Sequence, residues 1–147
     1  MTRRLPRGQD GSAIVEFAVL AVLMLVPVVY LVVTLGRLQA AAFATQGAAR
    51  EAGRAFVTAR DESSARERAE AAAMIAFSDQ GFQDRDLITL DIDCPVDPCL
   101  APDSRVAVHT TLQVVLPAVP RLVDRFIPSR IQVDAGHVVT VDRFGAR

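Results

Sequence analysis

The sequence has no lysine and no tryptophan, only two cysteines and two histidines, and a net charge of just −1 over 147 residues. All 16 basic residues are therefore arginine, which together with the many Ala and Val reflects compositional bias rather than a chemical requirement. So small a charge imbalance removes the electrostatic footprint of a nucleic-acid-binding protein. Without tryptophan, and with aromatics at 5%, there is no stacking platform for bases. A Gly-rich phosphate loop, a nucleophile elbow and an HExxH helix are all missing. The sequence predicts a protein that is not an enzyme and needs no cofactor.

What is present is apolar residues, which make up 51% of the chain and are concentrated near its start. Residues 17–35 read FAVLAVLMLVPVVYLVVTL, nineteen in a row without a charge. Crossing a hydrocarbon core of ~30 Å takes about 20 apolar residues in a helix. Pro27 lies mid-run, and a membrane helix tolerates such a break when neighbours satisfy the freed carbonyl. A chain this small has too little other apolar surface to wrap the same helix in a soluble core. Arg3, Arg4 and Arg7 precede the run, opposed only by Asp10. The positive-inside rule then predicts a cytoplasmic N-terminus and an extracytoplasmic remainder. A competing expectation is a secreted protein cleaved near Ala42, after the small residues that follow the run. The run exceeds the usual h-region of roughly 7–15 residues, which favours an anchor.

The most informative stretch is GQDGSAIVEF, residues 8–17. Gly11 and Ser12 stand at the edge of the apolar run, and Glu16 and Phe17 follow. A carboxylate entering a membrane is costly unless it is paired. A peptidase cutting after Gly11 would free a positive α-amine on Ser12. Glu16 of one subunit could then pair with the Ser12 amine of a neighbour, offsetting desolvation and fixing the axial register between them. Otherwise Glu16 is a polar residue at the membrane edge, and Gly11 a helix-start signal capped by Asp10 or Ser12.

This segment, GSAIVEFAVLAVLMLVPVVYLVVTLGRL, resembles the N-terminal module of TadE-like pseudopilins of the tight-adherence (Tad/Flp) type IV pilus system. The resemblance rests on the small residue Ser12, Glu16 followed by aromatic Phe17, the proline-containing apolar run, and the Gly36-Arg37 exit. It covers roughly residues 8–45, less than a third of the chain. It implies a leader of residues 1–11 removed by a prepilin peptidase between Gly11 and Ser12. It further implies that Glu16 sets register and Phe17 begins the embedded contact surface. The implied function is that of a minor pilin in a Flp-type pilus or secretion assembly. Implied partners are the prepilin peptidase, other pilins and pseudopilins, the inner-membrane assembly platform and the lipid bilayer. The alternative is an unprocessed single-pass anchor carrying an extracytoplasmic binding or accessory module.

Beyond the membrane helix (residues 12–36), the sequence predicts a helical region over 37–80 and a small β-rich head over 81–147, an α+β fold. The first helix extends past Gly36, because residues 38–59 contain no proline and are rich in strong helix formers. Ala40, Ala44, Ala48 and Ala52 recur every four residues and form a small-residue packing row. Ser64-Ala65-Arg66-Glu67 reads as a capping box opening a second short helix that ends before Gly81. Apolar residues then alternate over 87–93, 105–116 and 130–143, predicting an antiparallel sheet of about three strands. Ala135-Gly136 reads as a bulge in the third strand. The segment 117–128 reads as a Pro-punctuated loop with a short helical turn.

Cys94 and Cys99 bracket Pro95-Val96-Asp97-Pro98 between the first two strands. In an oxidising compartment this spacing predicts a structural disulfide, contributing roughly 2 kcal/mol by loop closure. A zinc site would need a matching close His pair beside the cysteines, whereas His109 and His137 are far apart in sequence. Asp91, Asp93 and Asp97 lack the sharp-turn glycine of a calcium loop. His109 reads as a sheet-face residue.

Overall fold

The computed structural model describes residues 10–116 and 130–143, with side chains from residue 13 onward. The elements are α1 (Asp10–Val57), α2 (Glu62–Asp79), a 3-10 turn (Arg85–Leu87), β1 (Ile88–Asp93), β2 (Arg105–Val115) and β3 (Arg130–Thr140). The fold is α+β, in the element order that hydrophobic periodicity predicts. The chain divides into two compact units, Met1–Leu35 and Gly36–Arg147.

In the first unit, α1 exposes every side chain from residue 13 to residue 33. The helix is long and apolar enough to cross a membrane. Pro27 lies inside it without ending it. Proline removes one helical N–H, a loss that spanning helices tolerate. Leu23, Leu25 and Val32 are each about 60% exposed, an untenable arrangement in water and the natural one in lipid. The segment thus has the properties of a membrane anchor.

The second unit is a helix layer on one face of a sheet. The strands form an antiparallel meander in the order β1-β2-β3. β2 alternates strictly: Val106, Val108, Thr110, Leu112 and Val114 are buried, and the residues between them face outward. This period of two lets one face be apolar and the other wet. The buried face meets Ala41, Ala44, Ala48, Ala52 and Phe56 of α1 and Ala65, Ala69, Ala73 and Phe77 of α2 in a single core. The alanine row is used within the chain, since Ala44, Ala48 and Ala52 are almost wholly inaccessible. Small side chains bring the helix close to the sheet. The approach is tightest at Gly53, where an added Cβ would lie 3.2 Å from Val139 Cγ1 and 3.6 Å from Val108 Cγ2.

Two buried threonines join the layers. The Thr110 hydroxyl on β2 donates to the Thr45 carbonyl of α1 at 2.9 Å. The Thr45 hydroxyl donates back to the Ala41 carbonyl at 3.1 Å. Both side chains are fully buried, and these bonds remove the penalty of an unsatisfied hydroxyl. At the other end of the core, the Arg37 guanidinium sits 5.2 Å from the centre of the Phe82 ring, within cation–π range.

Two local expectations are corrected. The second helix is capped by Asp61 rather than by a box starting at Ser64. The Asp61 carboxylate accepts from the Ser64 N–H at 2.9 Å and from the Ser63 hydroxyl at 2.7 Å. The Ser64 backbone bond, with the Ser63 and Ser64 hydroxyls, holds the Asp61 carboxyl below the usual carboxylate range. An acidic side chain satisfies the orphan donors and also suits the positive end of the helix, so it displaces the serine cap. The second correction concerns Ala135-Gly136, which carries no bulge. β3 pairs one-to-one with β2 along its whole length, with His109 opposite Gly136. The glycine instead leaves room for the imidazole, because a Cβ there would lie 3.0 Å from His109 Nδ1. The loop predicted over 117–128 and most of the 1–11 leader lie outside the described residues.

Candidate functional site

The junction residues lie in the first described turns of α1. Helical backbone is described from Asp10 onward, so Gly11 and Ser12 lie within α1. Glycine at this position lowers the cost of pulling the Gly11–Ser12 bond out of the helix into an extended conformation. Four residues on, Glu16 lies on the same side of the helix as Ser12. Among the described residues Glu16 has neither an ion pair nor a hydrogen-bond partner, and its side chain is exposed. Phe17 is 74% exposed. Within two turns of α1 the arrangement offers a Gly–Ser bond, a carboxylate with no partner among the described residues, and an exposed apolar surface.

The cysteines form a second constellation. Cys94, just after β1, is bonded to Cys99, with the Cα atoms 5.3 Å apart. The ring is closed as the spacing predicts. Cys99 is also held through its backbone: its N–H donates to Glu62 Oε1 at 2.6 Å, and its carbonyl accepts from the Ser104 hydroxyl at 2.7 Å. Sequence reasoning missed Glu62, which lies 37 positions away in what reads as a solvated charge run. Only an acidic residue in the first turn of a helix hints at it, and that signal is explained equally well by the helix dipole.

The remaining candidates do not converge. His109 is exposed on the outer sheet face opposite Asp91, while His137 is half-buried on the inner face near Gly53. Among the described residues, no three His, Cys, Asp or Glu side chains come together to hold a metal.

No curated protein and no solved structure matches the chain. The model of the TadE-like protein family matches residues 11–54, from the junction glycine to Arg54 near the end of α1. The similarity to that family is thus confined to the apolar helix and the junction before it.

Proposed function

We propose that this chain is a minor pilin, or pseudopilin, of a tight-adherence Flp-type pilus or secretion assembly. A prepilin peptidase cuts it between Gly11 and Ser12, and it packs laterally through α1. One observation carries this reading: the TadE-like match opens at Gly11, and Glu16 stands there on an exposed helix with no described partner. The mechanism is passive. Removing the Arg-rich leader frees the helix start from its charged cytoplasmic tether and creates the Ser12 amine. Glu16 of an adjacent subunit then neutralises that amine within the apolar layer, where an unpaired charge is expensive. Phe17 and the following apolar residues supply the contact surface, driven by close packing rather than by exclusion of water. The second unit stays on the extracytoplasmic side, where the Cys94–Cys99 bond is stable.

Deleting the gene in its own host tests this role. Surface pili counted by electron microscopy should fall to near zero, and the full-length gene supplied in trans should restore them. Undiminished pili in the deletion strain would contradict the proposal.

A further inference from the structure

The end of the second unit that carries the α1–α2 turn, the β1–β2 connection and the residues after β3 holds polar contacts between elements, among them the Arg143–Asp103 ion pair and a bond from the disulfide ring to α2. Glu62 occupies the first position of α2, and its carboxylate reaches across to the Cys99 amide. Cys99 can meet it because the disulfide to Cys94 and the Ser104 hydroxyl fix its backbone from two other sides. Cys94 and Cys99 are half-buried residues and Pro95 to Pro98 are all exposed, which leaves the ring open to small thiol reagents. The large core side chains Phe56, Phe77 and Leu112 are buried in the interlayer core, and the partly buried Cys94 and Cys99 pack only against its edge. A surface hollow of about 480 Å³ opens here, with Arg60, Glu62, Pro98, Leu100 and Val141 among its lining residues.

From this geometry we propose that the Cys94–Cys99 bond is a redox-responsive latch. When the bond is closed, the Glu62–Cys99 contact ties the start of α2 to the β1–β2 connection. When it is reduced, that contact is released and the hollow changes shape, while the sheet stays folded. Chemically, a dithiol supplies two electrons and two protons. One of its thiolates attacks a ring sulfur to give a mixed disulfide and a free cysteine thiol. Its second thiol then displaces the other cysteine, leaving Cys94 and Cys99 as thiols and the reagent as a disulfide. Loss of a fixed partner leaves the Cys99 amide to solvent, since the short ring no longer restricts the backbone between its two prolines. The latch does not depend on the pilus reading.

Residue-resolved amide hydrogen exchange on the full chain in detergent tests the latch, oxidised and then reduced with dithiothreitol. Cys99 should exchange at least about tenfold faster after reduction, the scale of one hydrogen bond to a charged group. Ala65, whose amide bonds to the Asp61 carbonyl in the first turn of α2, should accelerate with it, and Thr110 and Leu112 on β2 should not. In the oxidised protein, Glu62→Ala should by itself reproduce the Cys99 acceleration, and reduction should then add nothing at that amide. The Cys94→Ser/Cys99→Ser variant should match the reduced chain without any reagent. Unchanged Cys99 exchange on reduction overturns the latch, as does retained Cys99 protection in Glu62→Ala. Loss of protection at Thr110 in the reduced chain or in the serine variant also overturns it, because the bond would then be a staple of the whole fold.

Discussion

Glu16→Ala is expected to leave the chain in the membrane with a folded second unit and to reduce its recovery in pilus assemblies on the order of a hundredfold. The estimate follows from the asymmetry of buried ion pairs. Forming such a pair from water yields little, but removing one partner strands the other and costs about 3–5 kcal/mol. Since each 1.4 kcal/mol is a factor of ten, even the lower figure weakens lateral association about a hundredfold. In the isolated chain Glu16 has no described partner, so the substitution removes nothing that holds this subunit together. Deleting a charge from the edge of the span makes insertion easier, so failure to reach the membrane cannot account for the loss. The measurement is the fraction of membrane-extracted protein that co-purifies with assembled pili. Recovery equal to wild type would show that the carboxylate sets no register.

The largest effect on stability is expected at Phe56. Its ring is fully buried in the core formed by α1, α2 and the sheet. Truncating a buried Phe to Ala removes its transfer free energy and leaves a cavity, together about 3–5 kcal/mol. That is a large share of the ~5–15 kcal/mol of a typical domain. The core around it is lined by alanines, whose short side chains cannot move in to fill the space. In Phe56→Ala the calorimetric midpoint of the second unit should drop by at least about 10 °C. Membrane insertion should be unchanged, because the residues of the span take no part in that core. A drop below about 2 °C would mean that α1 does not pack on the sheet. Calorimetry suits the chain because it lacks tryptophan and its single tyrosine, Tyr30, lies in the apolar run.

The parts of this architecture that repeat were readable from sequence. Nineteen uncharged residues announce a spanning helix, and RVAVHTTLQVV announces a strand with one buried face, because each pattern is enforced at many positions at once. Features set by a single competition were misread. At the start of α2, Asp61 and Ser64 both offer an oxygen to the same turn, and the carboxylate wins because it also meets the helix dipole. Gly136 carries the usual signature of a bulge, yet it is there to admit a cross-strand imidazole. The alanine row was legible as a packing surface, but spacing alone says nothing about whether the partner is another chain or this chain's own sheet.

Long-range pairings without a periodic signal stayed hidden. The Thr110–Thr45 and Glu62–Cys99 bonds join residues 65 and 37 positions apart, and neither leaves a local trace. The disulfide was the exception, since six residues closing a ring between two strands leave few other partners. Of the junction, the sequence supplied every chemical element: the small residues, the carboxylate, the aromatic and the flanking arginines. The structure adds that Gly11, Ser12, Glu16 and Phe17 all lie on the one helix α1.

Everything proposed for assembly depends on which residue heads the chain once it has reached the membrane. N-terminal sequencing of the full-length protein, extracted from cells with and without a prepilin peptidase, reads this directly. The account predicts a chain beginning at Ser12 when the peptidase is present and an intact Arg3–Arg7 leader when it is absent. A leader retained in both, or a new terminus near Ala42, would contradict it.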